Sequence, residues 1–191
     1  MISLLALTCI VIGTIAFSML YIISIQPASL ALRIGDRAYP LCGKVRMAAM
    51  VFEMITLAGY ILFIFGDACN FRILNQNSLL IQIPGGVFTL LTLGFMIYST
   101  IIAGREATAP QKDSTLYTGI YHYMRHPQTL GEMLSWLGIA MVLNSVPLLL
   151  YSFIWIPLFI SYTILEDNDL AVRFGKDYIE YTQRVGIFWR K

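Results

Sequence analysis

The chain has 191 residues, 58% of them hydrophobic and only 13% charged, with a mean hydropathy of +0.71. A soluble domain carries about 25% charged residues, so this composition excludes an ordinary globular domain and points to a polytopic membrane protein. The net charge of +2 rests on dispersed basic residues, which excludes a nucleic-acid footprint, and Cys9, Cys42 and Cys69 have no Cys or His at metal-ligand spacing, so no metal site is expected.

A crossing helix needs about 20 apolar residues. Residues Ile2–Ile25 qualify, and because the first Lys or Arg is Arg33 and no small-x-small cleavage site ends the run, a retained span is expected rather than a cleaved signal. Val45–Gly66 is the second span, with Arg46 at its edge and Glu53 inside, and Pro84–Gly104 is the third. Thr129–Leu165 is too long for one span and is interrupted by the turn chemistry of Asn144 to Pro147, so it reads as a helical hairpin with arms 129–144 and 147–165 and a kink at Pro157. Residues 166–185 then place Leu170, Phe174, Tyr178, Tyr181 and Val185 at near-helical spacing opposite a charged face, the pattern of an amphipathic helix on the membrane surface. The expected fold is all-α: five transmembrane helices, the last two a hairpin, plus a C-terminal amphipathic helix. It divides into residues 1–104, three N-terminal spans, and 105–191, which carry the polar residues. Five alternating spans put 12 of the 13 basic residues on one side, with only Arg72 opposite, so the N-terminus is expected outside and the tail in the cytoplasm.

Polar groups concentrate at Tyr121 to Met133, "YHYMRHPQTLGEM", just before the hairpin. Antiparallel arms bring the start of the first arm (His126, Pro127, Glu132) to the depth of the end of the second (Tyr162, Glu166, Asp167). Pro127 suits the first helical position and pushes His126 out of the helical region. Arg, His and Tyr at a helix end also serve as plain interfacial anchors, and an acidic pair as solvated first-turn acids. Glu53 differs, because a carboxylate near mid-span defaults to a functional or paired role; a structural pair with Arg46 and a site are equally consistent with the pattern. Glu132 either lines a pocket or snorkels outward.

"TGIYHYMRHPQTLGE" resembles the G-x-Y-x-x-x-R-H-P-x-Y-x-G signature of the isoprenylcysteine carboxyl methyltransferases and the related phospholipid methyltransferases, and "LEDNDLAVRFGKDYIEYTQRVGIF" resembles their tail. Both motifs stand in the family's order around a hairpin, over residues 114–188. The resemblance implies an S-adenosylmethionine pocket at the hairpin mouth, closed by the tail, with Ser114, Thr115, Leu116, Tyr117, Tyr121, His126, Pro127, Gln128, Thr129 and Glu166 holding the cofactor. Thr129 stands where the signature has tyrosine, Gly186 where the tail has proline, and Tyr162 where isoprenylcysteine enzymes often carry arginine.

The implied reaction is methyl transfer to a lipophilic acceptor entering from the bilayer, in the first instance the carboxylate of a lipidated cysteine. That acceptor is ionised at neutral pH and needs no base, and Arg125 is the candidate catalytic residue, orienting it through a planar fork. A phospholipid amine would instead require a general base, with His122, Glu132 or Glu53 as candidates. Related membrane reductases that use NADPH, and a non-catalytic membrane scaffold, are the remaining alternatives.

Overall fold

A computed structural model describes residues 2–66, 74–112 and 119–189. Helices α1 (Ile2–Ser24), α2 (Pro27–Ile34) and α3 (Ala38–Phe63) form the N-terminal part, followed by α4 (Leu79–Ala103), α5 (Pro127–Val142), α6 (Val146–Ser152), α7 (Trp155–Phe174) and α8 (Lys176–Arg184). No β-strand occurs among the described residues. Among the described residues four helical segments have the length and hydropathy to cross a membrane: Ile2–Ser24, Pro27–Phe63, Leu79–Ala107 and Val146–Phe174. Helix α5, expected as a fifth span, has 16 residues; at 1.5 Å per residue that is about 24 Å, short of the hydrocarbon thickness of about 30 Å.

The helices associate as two close pairs, α1 with α3 and α4 with α5. Glycines set these approaches, as they do where backbones must come together without a hydrophobic drive between helices. A Cβ on Gly59 of α3 would lie 3.0 Å from the Ala6 carbonyl oxygen, and one on Gly131 of α5 would lie 2.7 Å from that of Thr92 on α4. An aromatic core joins the pairs: Trp136 of α5 stacks on Trp155 of α7 with centroids 4.7 Å apart, Tyr60 of α3 meets Trp136 edge-on at 5.0 Å, and Phe17 of α1 meets Trp155 at 5.7 Å.

The hairpin turn lies where its chemistry places it. Asn144 adopts a left-handed φ of 49°, and the Ser145 hydroxyl caps α6 by accepting from the Leu148 N–H. The second arm corrects the expectation of one helix kinked at Pro157. It is two helices, α6 and α7, broken at Phe153 and Ile154. Proline lacks the N–H that would reach the carbonyl four residues back, so the Phe153 carbonyl instead accepts from the Ile156 N–H at 3.3 Å, and the break falls one turn before Pro157.

The expected helix over 166–185 is also corrected. Residues 166–174 continue α7, and Gly175, at φ 59°, ends it before α8 begins. Leu170 and Phe174 therefore belong to α7, while Tyr178 is buried and Lys176, Asp177, Glu180 and Arg184 of α8 are exposed. The prolonged α7 brings Asp169 to α2, whose first N–H groups it caps: its carboxylate accepts from Ala28 at 3.1 Å and Ser29 at 2.7 Å.

Candidate functional site

The start of α5 and the end of α7 meet. Pro127 occupies the first position of α5 and His126 caps it in a non-helical conformation (φ −126°, ψ 60°), which points the buried imidazole across to α7. Nε2 of His126 lies 2.8 Å from Asp167 Oδ1 and Nδ1 lies 3.3 Å from Glu166 Oε2. Arg125 Nη2 is 2.9 Å from Asp167 Oδ2, and the Tyr178 hydroxyl donates to Asp167 Oδ1. Two cations, Arg125 and an imidazolium, thus face two carboxylates. Burial opposes charge on His126, but the hydrogen bonds to Asp167 and Glu166 outweigh it and raise its pKa to about 9. Burial and the Asp167 charge hold the Tyr178 phenol far above its ordinary value, which keeps it a donor.

The tail closes on this cluster through the main chain. The Arg125 N–H donates to the Gly186 and Ile187 carbonyls and the His126 N–H to that of Ile187, each at 3.1 Å. The Tyr181 hydroxyl donates to the Tyr121 carbonyl, and Tyr121 in turn donates to the Ser99 carbonyl at 3.2 Å.

The residues expected at the site fall into two groups. Tyr121, His126, Pro127 and Thr129 are buried, and the polar atoms of Tyr121 and His126 are engaged within the protein. Gln128 and Glu166 retain capacity. Gln128 Nε2 is buried without a hydrogen-bond partner among the described residues, and Glu166, with 28% of its side chain exposed, binds His126 through one oxygen only among those residues. Ser114, Thr115, Leu116 and Tyr117 lie outside the described residues. The Arg125 guanidinium is engaged by Asp167 and, at 3.5 Å, by the Thr182 carbonyl. His122 is exposed in the short 3₁₀ turn Gly119–His122.

Beside the mouth, between the two helix pairs, lies a cavity of about 470 Å³. Helix α5 lines it with Gln128, Glu132, Ser135, Trp136 and Ile139, and α3 with Arg46, Met50, Glu53, Met54 and Leu57, the same face repeat on each helix. Glu53 of α3 and Glu132 of α5 are neighbours across it. Arg46, the alternative partner for Glu53, is buried and turned to backbone carbonyls: Ser24 at the end of α1 at 3.0 Å, Glu106 at 3.1 Å and Ala107 at 2.9 Å. It satisfies the exposed carbonyl ends of two helical segments.

Two participants were not assigned a role from the sequence. Asp167, rather than Glu166, is the hub of the ionic cluster; the only available signal was its place in an acidic pair one helical arm from His126. Glu106 forms a bidentate pair with Arg173, both nearly buried, and no motif marks it.

A family profile described as phospholipid methyltransferase matches residues 54–177, well over half of the chain. The chain belongs to the phospholipid methyltransferase family. It is 34% identical over 92 residues to methanethiol S-methyltransferase 1 of Bradyrhizobium diazoefficiens, covering 47% of this chain and 30% of that protein. It is 36% identical over 90 residues to the protein-S-isoprenylcysteine O-methyltransferase of Schizosaccharomyces pombe, covering 46% of this chain and 36% of that one. The matched region thus spans about a third of the length of either relative. No solved structure matches the chain significantly. The residues matched by the family profile include both Glu166 and the His-Pro step.

Proposed function

We propose that this protein is an integral membrane methyltransferase that binds S-adenosylmethionine at the hairpin mouth and methylates a lipophilic acceptor drawn from the bilayer. The observation that carries the reading is the meeting of His126 with Glu166 and Asp167 beside a largely apolar cavity. The residues present suit the cofactor. Glu166 offers an acceptor for ribose hydroxyls or the cofactor amine, and Gln128 Nε2 is a buried donor without a partner among the described residues. Ser114 to Tyr117 are retained as cofactor contacts by resemblance. Tyr121, His126, Pro127 and Thr129 act by shaping the mouth, since they are buried within it. When bound, S-adenosylmethionine supplies an activated methyl group on a sulfonium. The protein's part is to orient the acceptor against it and to exclude water, which the tail segment across Arg125 and His126 serves.

The carboxylate of a lipidated cysteine is the first candidate acceptor, supported by the activity named for the fission-yeast relative. In that reading Arg125 orients the carboxylate, which requires it to exchange its bond to Asp167; while that bond stands, Arg125 is a positioning residue for the cluster. An amine acceptor is the second reading, favoured by the neighbouring Glu53 and Glu132 inside the cavity. With α5 as a fifth, short crossing, the cluster lies on the cytoplasmic side.

Calorimetric titration of the detergent-purified protein with S-adenosylmethionine and with NADPH tests the reading. Binding of S-adenosylmethionine is expected, and Glu166→Ala should abolish it. Binding of NADPH alone would move the protein to the reductases, and binding of neither would leave the cluster as an interfacial anchor.

A further inference from the structure

We infer that the hollow between the end of α1 and the outer face of α2 binds the phosphate of an anionic phospholipid whose acyl chains lie along α1. The site lies apart from the cavity between α3 and α5. The inference uses the membrane placement of the chain and does not depend on the methyl-transfer reading.

Ile23 of α1, with Gln26, Ser29, Leu30 and Arg33, lines a hollow of about 230 Å³. Ser29 and Arg33 stand four residues apart and so share one face of α2. Among the described residues neither the Ser29 hydroxyl nor the exposed Arg33 guanidinium has a hydrogen-bond or ion-pair partner. The Gln26 amide donates to the Ile22 carbonyl at 2.8 Å, which leaves its side-chain oxygen to accept from a headgroup hydroxyl. A guanidinium and a hydroxyl on one face suit a phosphodiester, which Arg binds through its planar fork. The surrounding charge agrees. Cys42 of α3 donates to the Ile23 carbonyl at 3.4 Å, so α2 lies at the end of the α1–α3 pair. Arg37 and Lys44 are exposed at that end, and the acid between Arg33 and Arg37, Asp36, is paired with Lys112 at 3.1 Å. Such a basic cluster at a membrane boundary attracts anionic lipid.

The neighbouring surface fits the rest of the lipid. Ile12, Ile15, Met19 and Ile23 are exposed and recur every three or four residues, a stripe along α1 that ends in the hollow. The helical repeat puts this stripe on the face opposite Phe17 and Tyr21, the α1 residues that line the cavity beside the mouth. An acyl chain on the stripe therefore carries its phosphate to Arg33 and not to the methyl-transfer site. Leu32 of α2 is 78% exposed, as on a helix lying at the boundary of headgroups and acyl chains. Occupancy has a structural consequence. One side of α2 is already fastened to α7, through Asp169 on the Ala28 and Ser29 N–H groups. A lipid joining the α1 stripe to Arg33 fastens the other side and stabilises the folded chain.

Thermal unfolding of the full chain in an uncharged detergent, titrated with dioctanoyl phosphatidylglycerol, tests this. That lipid has neither an amine nor a carboxylate, so it stands outside both acceptor readings. The melting temperature should rise saturably, with a half-effect concentration at least about tenfold below that of dioctanoyl phosphatidylcholine, the worth of one charge-assisted contact. Arg33→Gln should raise the half-effect concentration for phosphatidylglycerol by about the same factor and leave the lipid-free melting temperature unchanged. Arg184→Gln, which removes an exposed arginine of α8, should leave the titration as it was. Equal potency of the two lipids, no effect of Arg33→Gln, or an equal loss in both variants would overturn the inference. So would an equal effect of glycerophosphoglycerol, which brings the phosphate without acyl chains.

Discussion

His126 Nε2 lies 2.8 Å from Asp167 Oδ1 across 41 residues of sequence, and the same ring reaches Glu166 through Nδ1. The groups facing this ring are Glu166 and Asp167 of α7, with Arg125 beside it and Tyr178 of α8 behind Asp167. Its pKa rises from 6.5 to about 9. A raised folded-state pKa contributes stability fully below the unfolded value, and that contribution disappears as pH climbs through the folded one. The melting temperature in detergent should therefore fall between pH 6.5 and 9, and His126→Gln should flatten the decline. A decline of equal steepness in the variant would show that another group is responsible.

Asp167 and Glu166 should separate stability from binding. Asp167 serves Arg125, His126 and Tyr178 at once. Asp167→Asn removes the charge that faces two buried cations, a loss of about 3–5 kcal/mol, seen as a large drop in melting temperature. Glu166→Gln leaves that hub intact. It should lower the melting temperature far less while weakening S-adenosylmethionine binding more than tenfold. Equal thermal losses would mean that Glu166 is structural too.

Arg125→Ala distinguishes the two roles open to the guanidinium. Bound to Asp167 and Thr182, it holds the cluster and α8 in place, so S-adenosylmethionine affinity and the methylation rate should fall together, with partial rescue by Arg125→Lys. A collapse of methylation with cofactor affinity intact would place Arg125 on the acceptor.

Helix packing yields a paired test. Gly131→Ala sets a methyl 2.7 Å from the Thr92 carbonyl oxygen, whereas Gly94→Ala meets nothing within 4 Å. The first should destabilise the protein by about 1–3 kcal/mol. The second should be neutral or stabilising by about 0.5–1 kcal/mol, the gain of alanine over glycine in a helix. Thermal unfolding of both in one detergent decides it, and equal behaviour would dissolve the claim that Gly131 lets α4 and α5 pack backbone to backbone.

The long apolar helices, the turn at Asn144 to Pro147 and the meeting of His126 with Glu166 were legible in the sequence. Each follows from a local rule: a crossing helix satisfies its own backbone and shows its apolar length residue by residue, and two arms joined by a short turn must return to the same depth. Even locally, a proline acts on the carbonyl one turn before it, which moved the break from Pro157 to Phe153. Tertiary structure alone decided the pairings. For Glu53, a structural pair with Arg46 and a place in a site are equally consistent with the sequence. The packing of α1 on α3 put carbonyl ends before Arg46, and the gap between the helix pairs brought Glu132 to Glu53. Asp167 became the hub because α7 runs on to Gly175 instead of yielding to a surface helix at residue 166. Such choices depend on the rotation and spacing of neighbouring helices, set by contacts such as Gly131 on Thr92 that no single segment's pattern contains.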